Sequence, residues 1–213
     1  MYLPAHFEET RVEVLHDLMR VHPLATLVTL TTDGLEANHI PLEIHPEPAP
    51  FGTLRGHIAR ANPLWRELSS DVNALAIFQG ANRYISPAWY PSKAETGKVV
   101  PTWNYAVVHA HGRVRFIEDH VWLRQLVERL TDHHESKRSE PWSVSDAPAD
   151  YIDKTLDAIV GLEIPIDRLI GKWKVSQNRP AADQAGVVEH LLREDDESSR
   201  AMADLVRQSN RNK

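Results

Sequence analysis

Apolar residues in this chain follow two periods. Val12, Leu15, Leu18 and Met19 recur at helical spacing and predict a helix from about residue 8 to His22-Pro23, where the residue before proline leaves the α region. Leu123, Leu126, Val127 and Leu130 form a second stripe behind Asp119, a preferred N-cap. A third helix is predicted over 149–158. A last helical stretch from Pro180 onward carries Val187, Val188, Leu191 and Leu192 and is broken at the acidic run 194–197.

Elsewhere the apolar positions alternate or run together, as strands do. Residues 24–30 and 35–44 flank Thr32-Asp33-Gly34, a hairpin signal, and the Pro-rich stretch 45–50 interrupts any ladder after them. Further strands are predicted over 53–58, 72–80 with a continuation at 83–86, and 102–118. In the last of these, Val107, His109, His111 and Arg113 share one face, and Ala106, Val108, Ala110 and Gly112 share the other. A final strand pair, 160–164 and 169–175, is joined by Pro165-Ile166-Asp167-Arg168. Helices do not alternate with strands as βαβ units do. The pattern therefore predicts an α+β protein with an antiparallel Greek-key or meander barrel and peripheral helices.

Composition narrows the chemistry. At 213 residues and 42% hydrophobic content the chain can bury a core. With no cysteine, thiolate nucleophiles, disulfides and cysteine metal sites are excluded. The first residues lack a basic flank and an apolar h-region, and no apolar run reaches bilayer length, so a soluble, cytoplasmic protein without membrane association is expected. The net charge of −6 runs against a freestanding DNA-binding domain without excluding a local basic patch.

Four clusters stand out. Strand 53–58 is followed by Arg60 and by Asn62-Pro63, a helix-start signal, an arrangement suited to a phosphorylated ligand or, equally, to a plain surface turn. Asn38 and His39 are polar residues in an apolar strand beside Ile40, and either pair with neighbouring backbone or border a ligand. Val100-Pro101-Thr102-Trp103-Asn104-Tyr105 combines aromatic rings, a hydroxyl and an amide; it suits a heteroaromatic ring or serves as core filling at a sheet edge. Gly171-Lys172-Trp173-Lys174-Val175-Ser176-Gln177-Asn178-Arg179 sets basic and amide side chains beside a tryptophan, as a ligand edge or a basic surface strand would. His109-x-His111 could chelate from one strand face, but no third ligand stands at a recognisable spacing, and no metal is expected. Ser-His-Asp, P-loop, GxGxxG and HExxH patterns are absent.

Those clusters, with Met1-Tyr2-Leu3-Pro4-Ala5-His6-Phe7, Gly56-His57-Ile58-Ala59-Arg60-Ala61-Asn62-Pro63 and Tyr84-Ile85-Ser86-Pro87-Ala88-Trp89-Tyr90, occur in matching order in the PaiB family of FMN-binding negative transcriptional regulators, which the chain resembles over residues 1–192. The resemblance implies an FMN-binding split barrel related to pyridoxamine-phosphate oxidases and a homodimer with FMN near the subunit interface; residues 193–213 lie outside it, and their charge run predicts an acidic linker followed by a helical tail. The resemblance places the FMN phosphate on Arg60, backed by His57, Ala59 and Asn62. Asn38, His39 and Ile40 would lie along the ring edge, Thr102, Trp103 and Asn104 would complete the ring pocket, and Lys172 and Gln177 would reach in, from the same chain or from its partner. The segment offers one arginine where the oxidases present Arg-Lys, which implies a weaker hold on FMN. No catalytic residue is identified. The expected function is negative transcriptional regulation, with DNA or a regulatory protein as partner. An FMN-dependent oxidoreductase or flavin reductase is the alternative, and a flavin store or haem-handling protein a third.

Overall fold

The structure is a computed structural model that describes residues 1–68 and 72–211. In chain order its elements are β1 (Glu8–Glu9), α1 (Val12–Val21), β2 (Leu24–Thr31), β3 (Gly34–Pro41), β4 (Glu43–His45), β5 (Thr53–Ala59), α2 (Leu64–Glu67), β6 (Ala74–Ile85), α3 (Ser92–Thr96), β7 (Thr102–Gly112), β8 (Arg115–Ile117), α4 (His120–Glu135), α5 (Ala149–Asp157), β9 (Ile159–Pro165), β10 (Arg168–Lys174), α6 (Ala181–Arg193) and α7 (Glu197–Arg211). They fall into two compact units, one of Met1–Leu18, Gln79–Val108 and Ile170–Lys213, the other of Met19–Phe78 and His109–Leu169.

In the first unit the strand order is β1-β10-β7-β6, with Glu8 opposite Lys172 and Glu9 opposite Gly171. Gly171 is required by packing: a Cβ there would lie 2.2 Å from Leu15 of α1. The unit's core joins Ile85, Tyr90 and Val175 to Val187 and Leu191 of α6 and to Met202, Ala203 and Val206 of α7. The acidic run before α7 does local work. Asp196 accepts from the Ser199 amide at 3.0 Å and from the Ser199 hydroxyl at 2.8 Å, and it pairs with Arg83. These contacts, led by the Ser199 amide, hold its carboxyl down at about 2. Because that value lies below the ordinary carboxylate range, the stabilisation is present above about pH 4 and disappears as pH falls toward 2. Asp196→Ala is therefore expected to melt lower than wild type at neutral pH, with the gap closing in melts recorded from pH 4 downward.

In the second unit β2 and β3 form the hairpin predicted around Asp33-Gly34, with Gly34 at φ 116. β2 also pairs with the start of β6, Thr26 opposite Ile77 and Val28 opposite Leu75. A four-stranded sheet has the order β4-β5-β9-β8. Helices α4 and α5 add Leu123, Ile152 and Leu156 to a cluster with Val144, and Asp119 caps α4 by accepting from the Trp122 amide at 2.7 Å. Trp122 lies over Gly161 of β9, where a Cβ would come within 2.3 Å of the indole.

Four expectations change. The stretch 102–118 is two strands, because after Gly112, where a Cβ would strike the Pro165 carbonyl at 2.1 Å, the chain leaves β7 and pairs as β8 with β9. The stretch 35–44 likewise divides into β3 and β4. Strands β9 and β10 are not partners: β9 lies between β5 and β8, whereas β10 pairs with β1. The predicted first helix starts at Val12, since Glu8–Glu9 extend as β1. Among the described residues no helix is long and apolar enough to cross a membrane.

Candidate functional site

In the second unit, β5 ends at Ala59 and the chain turns, with the Asn62 amide donating to the Ala59 carbonyl at 2.9 Å. The helix that follows is a single turn, α2, with the Asn62 side chain accepting from the Leu64 amide at 2.9 Å. A helix this short concentrates little dipole, so any anion held here depends on side chains. The Asn62 side chain also donates through Nδ2 to Asn38 Oδ1 at 2.8 Å, joining the turn to β3. Gly56 permits the approach of β5 to Ile40, Pro41 and Leu42: a Cβ there would lie 2.8 Å from the Pro41 carbonyl. Asn38, Ile40 and the 56–62 segment are thus brought together. His39 is not on the same side: it is exposed, opposite Thr26, while Asn38 faces inward opposite buried Leu27.

Arg60 sits at the end of β5 and is engaged by groups far away in sequence. Its Nε donates to the Asp157 carbonyl at 2.7 Å and one terminal nitrogen to the Ile159 carbonyl at 3.1 Å, closing the C-terminal end of α5. The other terminal nitrogen pairs with Glu118 at 2.5 Å. Among the described residues, three of about five guanidinium N–H groups are occupied in this way. His57 has a buried Nδ1 without a hydrogen-bond partner, and burial lowers its pKa, so the ring is neutral at pH 7. The unmatched nitrogen and the remaining Arg60 donors are compatible with a phosphorylated ligand.

His109 is also neutral at pH 7, pushed down to about 4 chiefly by burial and further by His111 and Arg168. Among the described residues no group of three or more histidines and carboxylates is placed to hold a metal ion.

In the first unit, β7 and β10 carry the other candidates. Asn104 is 1% exposed and donates to the Ser176 hydroxyl at 2.9 Å, beneath the turn that follows β10. Gln177 folds back on that turn, accepting from the Val175 amide at 2.8 Å and donating to the Trp173 carbonyl. Its side chain also borders a cavity of about 490 Å³ with Val14, Trp173, Val175 and Leu205. Lys172 is 7% exposed; its ammonium donates to the Tyr2 carbonyl at 3.0 Å and lies 5.3 Å from the centre of the Tyr105 ring.

The lysine that meets the Thr102-Trp103 segment is one that sequence reasoning did not single out. Lys174 Nζ donates to Thr102 Oγ1 and to the Trp103 carbonyl. Burial, then Lys172 and Arg179, lower its pKa. Trp103 is 56% exposed and meets Tyr84 edge to face, with ring centres 6.2 Å apart. The exposed indole can stack a planar ring, and the ammonium, held by the Thr102 hydroxyl and the Trp103 main-chain carbonyl, can donate to a carbonyl oxygen. Period-2 spacing from Lys172 was the available signal for Lys174.

Comparison with known proteins places these features in a lineage. Residues 1–168 match the protein family described as "Putative FMN-binding domain". The chain is 31% identical over 209 positions to protease synthase and sporulation protein PAI 2 of Bacillus subtilis, covering 97% of this chain and 96% of that one. It is 35% identical over 245 positions to an uncharacterised protein of Emericella nidulans, covering 98% and 97%. Among solved structures, the FAD and heme binding protein of Mycobacterium smegmatis aligns with a TM-score of 0.56 and 19% identity, over 78% of this chain and 73% of that one. That likeness concerns the fold, an α+β antiparallel split barrel of the FMN-binding type.

Proposed function

The chain belongs to the FMN-binding domain family that its residues 1–168 match, and from that premise we propose that it is an FMN-binding negative transcriptional regulator of the PaiB type. The observation that carries this reading is the family match together with full-length similarity to a protein named for protease synthesis and sporulation. When bound, FMN supplies reversible electron uptake, which would let such a regulator respond to redox or nutritional state. The phosphate role falls to Arg60, backed by His57, Ala59 and Asn62, with Asn38 and Ile40 beside them in the same unit; in the other unit Thr102 and Trp103 offer a surface to a ring, and Asn104, Lys172 and Gln177 hold the segments around it. His39, exposed on the other face of β3, can offer only its backbone to a ring that Asn38 borders.

A homodimer is supported by the outer face of the β2–β3 hairpin. Leu24, Val28, Leu30, Leu35 and Ala37 share that face with Thr26 and His39, and Leu24, Leu30 and Leu35 are 62%, 37% and 80% exposed. An apolar sheet face of this extent is the kind of surface that a second copy covers.

The test sets regulation against reduction. FMN-loaded protein is incubated with a pool of genomic DNA fragments, and separately with NADH or NADPH and excess FMN. Recovery of defined fragments, with affinity that falls as salt rises, is the expected result, with no turnover of the nicotinamide. Rapid nicotinamide-driven FMN reduction with no fragment recovered would replace the regulator with a flavin reductase.

A further inference from the structure

We propose that Lys174, rather than Lys172, is the cation this chain offers to the electron-rich carbonyl edge of a bound planar ring, with Trp103 as the shelf beneath it. The proposal rests on the FMN-binding reading and names the contact within it. Lys172 and Lys174 stand on the same side of β10, two positions apart, yet their surroundings differ. Lys172 is buried, with its ammonium tied to the Tyr2 carbonyl and near the rings of Tyr2 and Tyr105, so it anchors the N-terminal residues. Lys174 is half-buried. Two of its roughly three N–H donors meet Thr102 Oγ1 and the Trp103 carbonyl, and the last remains for a ligand.

That ammonium is held in place before any ligand arrives. Its stem leads into the turn Val175-Ser176-Gln177, and the turn is fixed from beneath. Ser176 holds a left-handed φ of 66, its hydroxyl accepts from Asn104, and the Gln177 amide bridges the Val175 amide and the Trp173 carbonyl. Asn104 and Gln177 are therefore positioning residues. They set the direction of Lys174 rather than touching the ring themselves. A preset donor loses little freedom on binding, which favours affinity. Close by, the exposed face of Trp103 and the edge-on Tyr84 supply an aromatic surface for the ring to lie against. With the hydroxyl holding the ammonium, the remaining N–H fits a ring edge that carries carbonyl oxygen and gains negative charge on reduction, as the pyrimidine edge of a flavin does.

Full-length wild type, K174M, K174R and K172M are titrated with FMN, and the midpoint potential of the bound cofactor is measured against redox dyes. Thermal melts establish that each variant is folded. K174M is expected to bind FMN about tenfold more weakly. Its preference for reduced over oxidised FMN should fall about tenfold as well, a drop of about 30 mV for a two-electron couple. K174R, which keeps the charge, should recover most of both losses, and K172M should move the potential less than K174M does. Wild-type affinity and potential in K174M, or a larger shift in K172M, would overturn the assignment to Lys174 alone. A wild-type protein that takes up no FMN would overturn the cofactor reading and this contact with it.

Discussion

Arg60→Ala is expected to weaken FMN binding by roughly 10- to 150-fold, the loss of one charge-assisted hydrogen bond worth about 1.5–3 kcal/mol. The surroundings of Arg60 sharpen this expectation. Its guanidinium is anchored by the Asp157 and Ile159 carbonyls, so it points in a fixed direction, and its third partner is Glu118, whose side chain is 59% exposed. An exposed ion pair of this kind contributes about 0–1 kcal/mol. A phosphate dianion can therefore displace Glu118 at small cost. Glu118→Gln removes the competing charge while leaving the arginine and its backbone anchors in place, and should tighten FMN binding. Because Arg60 also closes the end of α5, Arg60→Ala should be titrated well below its melting temperature. Unchanged affinity in both variants would move the phosphate site elsewhere.

Met202→Ala is expected to cost about 2–5 kcal/mol, the range for truncating a fully buried methionine. Met202 is 0% exposed and packs with Ile85, Tyr90, Val175 and Leu191. The prediction gives α7 a structural role: a helix that contributes Met202, Ala203 and Val206 to the core of its unit holds that unit together. Urea melts of Met202→Ala and of Arg207→Ala measure the difference. Arg207 forms an exposed pair with Asp204, and its truncation should stay within about 0.5 kcal/mol of wild type. Equal loss in the two variants would show that α7 does not pack as described.

Features set by neighbours in sequence were legible. The Asp33-Gly34 turn, the Asp119 cap, the stripe through Leu123 and Leu126 and the break before α7 all follow from residues within a few positions of one another. What escaped depends on partners far along the chain. The short link from β9 to β10 looks like a hairpin, yet each strand finds other partners, and nothing local in Pro165-Ile166-Asp167-Arg168 distinguishes the two outcomes. Arg60 could be picked out as a cation at a strand end. Its engagement with groups 58 to 99 positions away could not. The same limit governed the basic strand. Lys172 and Lys174 are equivalent by pattern, and only the packing of Tyr2 against one and of Thr102 against the other separates them.

The central claim is that this chain binds FMN, and the visible absorption spectrum of the purified full-length protein tests it most directly. Protein incubated with excess FMN and dialysed should retain flavin absorption near one equivalent per chain, with the bands shifted from those of free FMN. A colourless protein that surrenders all added FMN to the dialysate would contradict it.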